Sequence, residues 1–406
     1  MKKQTQKVRR GAAGRRETAA RSDCYVELAI TKGKGIKINL TSRVEALYGD
    51  SIRSLVSDVV HHLGINHAEI FIDDRGAVPF VITARVEAAA KKALPELDKA
   101  YFLQARVKQK DAIRDRLRRT RLYLPGNQPH FFLNAGLHKP DCIILDLEDS
   151  VAPSEKDTAR ILVRNALRHV DFGDAERMVR INSFPLGIED LQQVLHGNVQ
   201  TILIPKCESA DSVIDVEHEI KNFLSLHKSQ HKIFLLPIIE SALGVVRAFE
   251  IATASPWICG LAIGLEDYTA DLGVQRTTQG IESQYARNVI VNAAKAAGIQ
   301  ALDSVFSDVS DDDGLRKSAL EAKAMGFDGK GCIHPRQIRI IHQALAPTAE
   351  EVEYAQRVVN AYEEANRNGS GVVALGSKMI DAPVVKRAQH LLLLAEMNSS
   401  LGSKKP

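Results

Sequence analysis

The sequence predicts an α/β protein: a parallel (β/α)8 barrel of the TIM class, preceded by a small α+β unit and followed by a helical extension. Three observations predict it. From Arg121 onward, short apolar runs are continuous rather than alternating, as in parallel strands buried on both faces. Eight such runs alternate with amphipathic helical stretches, which is the count that closes a barrel, with a doubly wound sheet as the competing arrangement. Before about residue 110 the regime differs, with short β-prone runs around Gly-rich turns and Ala-rich helical spacing. The bulk composition agrees: 406 residues at 45% hydrophobic and 26% charged, with 26 Gly and 14 Pro, exclude collagen-like, low-complexity and highly charged disordered classes. This length lies beyond what one core usually supports, so more than one unit is expected.

In chain order, residues 1–21 read as a basic disordered arm. Residues 1–16 hold seven Lys or Arg and no acid, so removing them from the net charge of +4 leaves −3 for the remainder. A mildly acidic body makes a solubilising terminus the preferred reading of the arm over a nucleic-acid tail or transit segment, and no nucleic-acid partner is expected. Residues 22–94 read as a ββαββα unit. Residues 24–30 and 35–40 flank Lys32-Gly33-Lys34-Gly35 as a hairpin, and Ser42 with Glu45 three residues on resembles a capping box before a helix. Residues 68–72 alternate like a half-buried strand, Asp73-Asp74-Arg75-Gly76 is turn chemistry, 78–83 should pair back, and an Ala-rich helix follows. Residues 95–118, rich in Lys and Arg, are expected to be a helical linker. The barrel takes 119–346, with strands near 122–124, 142–147, 178–181, 202–205, 233–239, 258–263, 302–306 and 331–333. A helical extension or lid spans 347–396, interrupted by a Gly-rich break at 368–371, and 397–406 is a tail.

The five cysteines (Cys24, Cys142, Cys207, Cys259, Cys332) are odd in number, scattered and never in a Cys-x-x-Cys pair, against a disulfide framework or a structural zinc site. A reducing, cytoplasmic setting is expected. No apolar run approaches the roughly 18 residues of a membrane span, and no secretory signal is evident.

Barrel chemistry sits at the C-terminal ends of the strands. There the sequence places Asp146, Glu148 and Asp149 after strand two, Arg180 and Asn182 after three, Lys206 after four, Glu240 after five, Glu266 and Asp267 after six, and His334 after eight. Several carboxylates with few His suggest a hard divalent cation such as Mg²⁺ rather than zinc. Any one acid alone also reads as a helix cap, Glu240 and Asp267 included. Two acids on neighbouring strands with an arginine opposite are harder to explain as capping. Such a site can chelate an α-keto or α-hydroxy acid and hold a developing enolate.

Arg121-Leu-Tyr-Leu-Pro-Gly-Asn, Asp146-Leu-Glu-Asp-Ser-Val-Ala-Pro-x-Glu-Lys, Val179-Arg-Ile-Asn, Pro205-Lys-x-Glu-Ser-Ala, Ile239-Glu-Ser-Ala-x-Gly, Gly264-Leu-Glu-Asp-Tyr-x-Ala-Asp-Leu-Gly, Gly326-Phe-Asp-Gly-Lys-x-x-Ile-His-Pro and Lys378-Met-Ile-Asp-x-Pro-Val-Val resemble the citrate lyase β-subunit. That group belongs to the HpcH/HpaI-type aldolases, with the malyl-CoA and citramalyl-CoA lyases. Residues 22–94 resemble the citrate lyase γ-subunit, an acyl carrier, through Ser22-Asp-x-x-Val, Ser42-x-Val-Glu-x-x-Tyr-Gly-x-x-Ile and Ala84-Arg-Val-Glu-Ala-Ala. The resemblance implies Mg²⁺ on Glu240 and Asp267, substrate binding by Arg180 with Glu148, Asp149 and Gly264, and Asp381 as an acid reaching the neighbouring subunit's site. The alternative for Asp381 is a cap before Pro383.

The resemblance also implies a homo-oligomer, a trimer or a multiple of three, and a citrate lyase α-subunit-like transferase as partner. The carrier family attaches a phosphoribosyl-dephospho-CoA arm to a serine two residues before the Asp, where this sequence has Arg21. Either the arm moves to Ser22, or the carrier is unmodified and the substrate is a free CoA thioester. The activity implied is cleavage of a citryl thioester, acyl-ACP or acyl-CoA, to oxaloacetate and an acetyl thioester. Malyl-CoA or citramalyl-CoA lysis and a non-catalytic carrier or scaffold are the rivals.

Overall fold

The computed structural model describes residues 8–16, 21–367, 373–375 and 378–403. The arm residues 1–7 and 17–20 and the Gly-rich break at 368–371 lie outside the described residues.

Strands β1 (Arg10–Ala13), β2 (Cys24–Ile30), β3 (Ile36–Ser42) and β4 (Ala68–Asp74) form one sheet in the order β1-β2-β4-β3, covered by α1 (Glu45–His62) and α2 (Pro79–Ala93). Four expectations are corrected here. Residues 10–13 of the arm are an edge strand, antiparallel to β2. Gly11 permits it, because a Cβ there would lie 2.1 Å from the Ala89 carbonyl of α2. β2 and β3 do not form a hairpin: β4 lies between them, antiparallel to β2 and parallel to β3. The fully buried Ile70 and Ile72 claim the centre, whereas no residue of β3 is fully buried, so β3 takes the edge. Residues 78–83 begin α2 rather than a strand, since Pro79 presets a helical φ and Ala-rich sequence continues the turn, giving βββαβα. Ser42 does not cap α1 itself. Its Oγ accepts from the Val44 N–H at 3.1 Å and donates to Asp74 at 2.6 Å, joining β3 to β4.

The barrel closes with eight parallel strands, β5 (Thr120–Pro125), β6 (Cys142–Asp146), β7 (Glu176–Arg180), β8 (Thr201–Ile204), β9 (Phe234–Ile239), β10 (Gly260–Ile263), β11 (Gln300–Asp303) and β12 (Gly329–Cys332). The outer ring is α3 (Lys156–His169), α4 (Leu186–Val194), α5 (Ala210–Leu226), α6 (Ala242–Val246), α7 (Ala248–Ala252), α8 (Leu265–Asp271), α9 (Ile281–Ala296), α10 (Asp312–Met325) and α11 (Arg336–Leu345). Inward residues such as Cys142, Ile144, Met178, Leu203 and Leu236 fill the barrel, and their neighbours pack outward beneath the helices.

The expected helical linker is not a helix: among 95–118 the backbone is irregular, with only isolated turns. Its donors go to the barrel instead. The N–H groups of Arg106 and Val107 donate to the Arg168 carbonyl, the Lys110 N–H donates to Asn198, and Arg118, wholly buried, pairs with Glu176 at 2.7 Å. Arg164 and Arg168 cover the Phe102 ring at 4.8 and 5.2 Å. A helix would close those backbone bonds locally and lose this strap.

The carrier-like unit is bonded to the barrel. α2 and α3 share a seam where Arg164 donates to both oxygens of Glu87 (3.1 and 2.7 Å), both side chains fully buried, and Asn165 donates to the Phe80 carbonyl and Thr83 hydroxyl. At the C-terminus, α12 (Ala349–Arg367), the hairpin β13 (Val373–Leu375) and β14 (Lys378–Ile380), and α13 (Ala382–Ser403) form a satellite with its own core of Ala355, Val358, Ile380 and Val385. The helix runs on to Ser403 where a tail was expected from 397. Among the described residues, no helix is long and apolar enough to cross a membrane, and all five cysteines are buried and free.

Candidate active site

The C-terminal ends of the barrel strands surround a cavity of about 470 Å³. Strand alternation builds its walls: Arg121, Tyr123 and Pro125 of β5 face in, while Leu122 and Leu124 face out. Asp146 ends β6, Asp149 follows in the next loop, Arg180 ends β7, Glu240 follows β9, and Gly264 and Asp267 follow β10; all line the cavity.

Arg180 is held on several sides. Its Nε and Nη2 donate to the two oxygens of Asp146 at 2.6 and 2.7 Å, Nη1 meets Glu148 at 2.9 Å, and Asp149 lies at 3.8 Å. Its Cζ lies 5.4 Å from the Tyr123 ring centroid. Burial opposes the charge, but the bonds to Asp146 and the field of that carboxylate outweigh it, so the guanidinium pKa is raised and Arg180 stays cationic. Glu148 is not on the cavity wall but behind it, bridging Arg180 and Lys206. Lys206 Nζ also reaches Asp149 at 3.2 Å.

Glu240 is only 4% exposed. Burial raises its pKa, the Lys206 N–H at 2.6 Å lowers it, and the Asp267 carboxylate raises it again, leaving it at about 7. Gly264 makes room for this carboxylate: a Cβ there would stand 2.4 Å from Glu240 Oε2 and 3.0 Å from its Cβ. The adjacent Glu266 also lines the cavity, but its carboxylate is engaged by Ser307 at 2.7 Å and Arg276 at 2.5 Å.

These residues fit a hard divalent cation. Glu240 and Asp267 are oxygen donors whose mutual repulsion and burial an added positive charge would relieve. Among the described residues, no group of three or more His, Cys, Asp or Glu converges to form a complete ligand set. An incomplete protein set suits Mg²⁺, which retains waters and takes oxygens from its substrate.

Like Glu148, the sequence candidates Asp381 and Ser22 lie off this cavity. Asp381 caps α13 of its own chain: Oδ1 accepts from the Val384 N–H at 3.2 Å and its carbonyl from the Val385 N–H at 3.1 Å. Ser22 is half-buried in the left-handed region (φ 55°) at the turn before β2. Its neighbour Asp23 takes both Arg85 donors at 2.8 Å, and Arg85 Nη2 also donates to the carbonyl of Asn127, two residues past β5. Ser22 therefore sits beside a buried bridge to the barrel rim. Sequence reasoning passed over Arg121, Tyr123 and Ser304 as cavity residues. For the first two the signal was available, because odd positions of β5 must share the face of Pro125.

Comparison with known proteins gives a consistent result. The family model described as HpcH/HpaI aldolase/citrate lyase matches residues 119–335, and that described as malonate decarboxylase delta subunit (MdcD) matches residues 14–93. The chain is 44% identical over 282 residues to citrate lyase subunit beta of Haemophilus influenzae, covering 68% of this chain and 96% of that protein. It is 34% identical to the mitochondrial citramalyl-CoA lyase of Mus musculus, over 68% of this chain and 86% of the relative. Among solved structures, protein CitE of Mycobacterium tuberculosis in complex with magnesium, acetoacetate and coenzyme A superposes with a TM-score of 0.58 at 32% identity, covering 70% of this chain and all of that one.

Proposed function

The chain belongs to the HpcH/HpaI aldolase/citrate lyase family, and from this we propose that it is a Mg²⁺-dependent carbon–carbon lyase that cleaves a citryl thioester to oxaloacetate and an acetyl thioester. The observation that supports this most is the meeting of Arg180, Glu240, Asp267 and Gly264 on one cavity at the C-terminal rim. When bound, the cation supplies Lewis-acid polarisation of the substrate's hydroxyl and carboxylate oxygens. Glu240 and Asp267 are the residues that would hold it. Arg180, locked by Asp146 and Glu148, offers a fixed positive charge to the enolate of the thioester fragment.

In the reaction the hydroxyl loses its proton and the bond between its carbon and the adjacent methylene breaks. The hydroxyl carbon becomes the keto carbon of oxaloacetate, and the electron pair leaves with the thioester fragment. One proton must then reach that methylene carbon. We assign this to Asp381 of a neighbouring subunit, since in its own chain it caps α13 within the satellite unit and does not line the cavity; from the resemblance to the lyase family we infer a trimer or a multiple of three. Mixing subunits of Asp381→Ala and Arg180→Ala should restore partial activity; none after demonstrated exchange removes Asp381 from this role. The inferred setting is cytoplasmic, with an α-subunit-like transferase as partner.

Supplying citryl-CoA, malyl-CoA and citramalyl-CoA with Mg²⁺ and measuring keto-acid release tests the reading. Citryl-CoA should be cleaved fastest and excess EDTA should stop it; full activity in EDTA, or no cleavage of any thioester, would refute it. Arg21 at the expected attachment position favours a second version, in which the carrier bears no arm and the substrate is a free CoA thioester. Intact mass with peptide mapping around Ser22 separates the two: a CoA-derived adduct places the acyl group on the carrier beside its own barrel rim.

A further inference from the structure

Arg121 has unspent bonding capacity at the cavity floor. It lies on β5 two inward positions below Pro125, level with Cys142 and with Gly331, which has no side chain to pair it. It lines the cavity and is 1% exposed. One nitrogen is tethered, Nη2 donating to the Asp303 carbonyl at 2.6 Å, while Nε and Nη1 are buried without a hydrogen-bond partner. The Asp303 carboxylate cannot serve it, being already shared by Lys330 at 2.7 Å and Arg287 at 3.2 Å. Of the two cations lining the cavity among the described residues, Arg180 is paired with carboxylates and Arg121 has none.

An arginine cannot shed its proton, and a buried charge with idle donors is costly unless an anion arrives. Glu240 and Asp267 define where one carboxylate of a chelating keto acid would be engaged, and Arg121 is a separate anion receptor in the same cavity. Building on the lyase reading, we propose that Arg121 receives the second carboxylate of a dicarboxylic keto acid, so that the site prefers the oxaloacetate class over monocarboxylic acids of the pyruvate and glyoxylate class. It is a specificity residue: it takes no part in bond breaking, and a monocarboxylic substrate leaves its donors unspent.

The test is calorimetric binding of freshly prepared oxaloacetate and of pyruvate, with Mg²⁺ present, to the full-length protein and to Arg121→Gln and Arg121→Lys. The wild type should bind oxaloacetate at least about 10-fold more tightly than pyruvate. Arg121→Gln should lose about 10- to 100-fold in oxaloacetate affinity, the range for a hydrogen bond to a charged group, with pyruvate changed less than about 3-fold. Arg121→Lys should recover part of the loss. Equal wild-type affinity for the two acids overturns the proposal even if Arg121→Gln fails to fold. An unchanged ratio in a folded Arg121→Gln overturns it while leaving the lyase reading intact, and wild-type binding of neither acid overturns both.

Discussion

Two buried ionic clusters in this chain use the same chemistry for different ends. In the seam between α2 and α3, Arg164 and Glu87 are both fully buried, and Gln193, Asn165 and the Tyr101 carbonyl take the remaining donors. At the barrel rim, Arg180 is paired as closely, but the acids around it exceed the cations, and Glu240 has a backbone N–H rather than a positive partner. The seam is closed on itself and contributes attachment. The rim is left short of positive charge on a cavity, which costs stability and creates a place for a cation and its anionic substrate. Buried charge alone does not mark a site; an incomplete set of partners facing a cavity does.

The sharpest way to break this contrast is to neutralise Glu240. Glu240→Gln should lower lyase activity by roughly 10³-fold, as for removal of a group that organises transition-state charge, and abolish the thermal stabilisation that Mg²⁺ is expected to give the wild type. Melting temperature without metal should stay level or rise, because a carboxylate pushed up to about 7 by burial is then gone. A large fall in stability would place Glu240 with the seam. The mirror experiment is Arg164→Met, which strands Glu87 and should cost about 3–5 kcal/mol, while Arg164→Met with Glu87→Leu should regain most of it in denaturant titrations. Turnover of free CoA thioesters per folded molecule should change little in either.

Gly264→Ala refines the rim. The new Cβ must displace Glu240 Oε2, so a loss of about 10- to 100-fold in activity is expected, weaker than for Glu240→Gln because the carboxylate survives. The smallest effect concerns the strap. Burial, then the charges of His227, Arg164 and Arg168, lower the His196 pKa to about 4, where it packs on Phe102. Because the folded state holds it neutral, its contribution is present above about pH 6.5 and is lost as pH falls towards 4. Melting temperature should drop by a few degrees over that window, and His196→Gln should flatten the profile.

Much of this was legible in the residues. The barrel was, because continuous apolar runs have few other uses in a soluble chain, and the rim acids were, because barrel topology sends strand ends to one face. The hairpin between β2 and β3 was not: pairing depends on which strand is buried deepest, and local turn chemistry at Gly33 and Gly35 is silent about that. The linker failed for a related reason, since helical spacing in 95–118 competes with carbonyls of the barrel that are remote in sequence. Asp381 was readable both as a cap and as an acid, and the structure displays the cap.

By itself, the amino-acid order determined the periodicity of the elements, the scattered spacing of the cysteines and the set of groups able to do chemistry, all properties of neighbouring residues. Only the tertiary structure decided which of those groups are satisfied. Glu266 and Asp267 are adjacent and both line the cavity, yet Glu266 is spent on Ser307 and Arg276, whereas the charge of Asp267 falls on Glu240 and raises its pKa. Arg121 and Arg180 are both inward barrel arginines, yet only Arg180 is paired with carboxylates. The reason is physical: a charge's free energy depends on its burial and on partners within a few ångströms, and those partners come from strands and helices far apart in the chain.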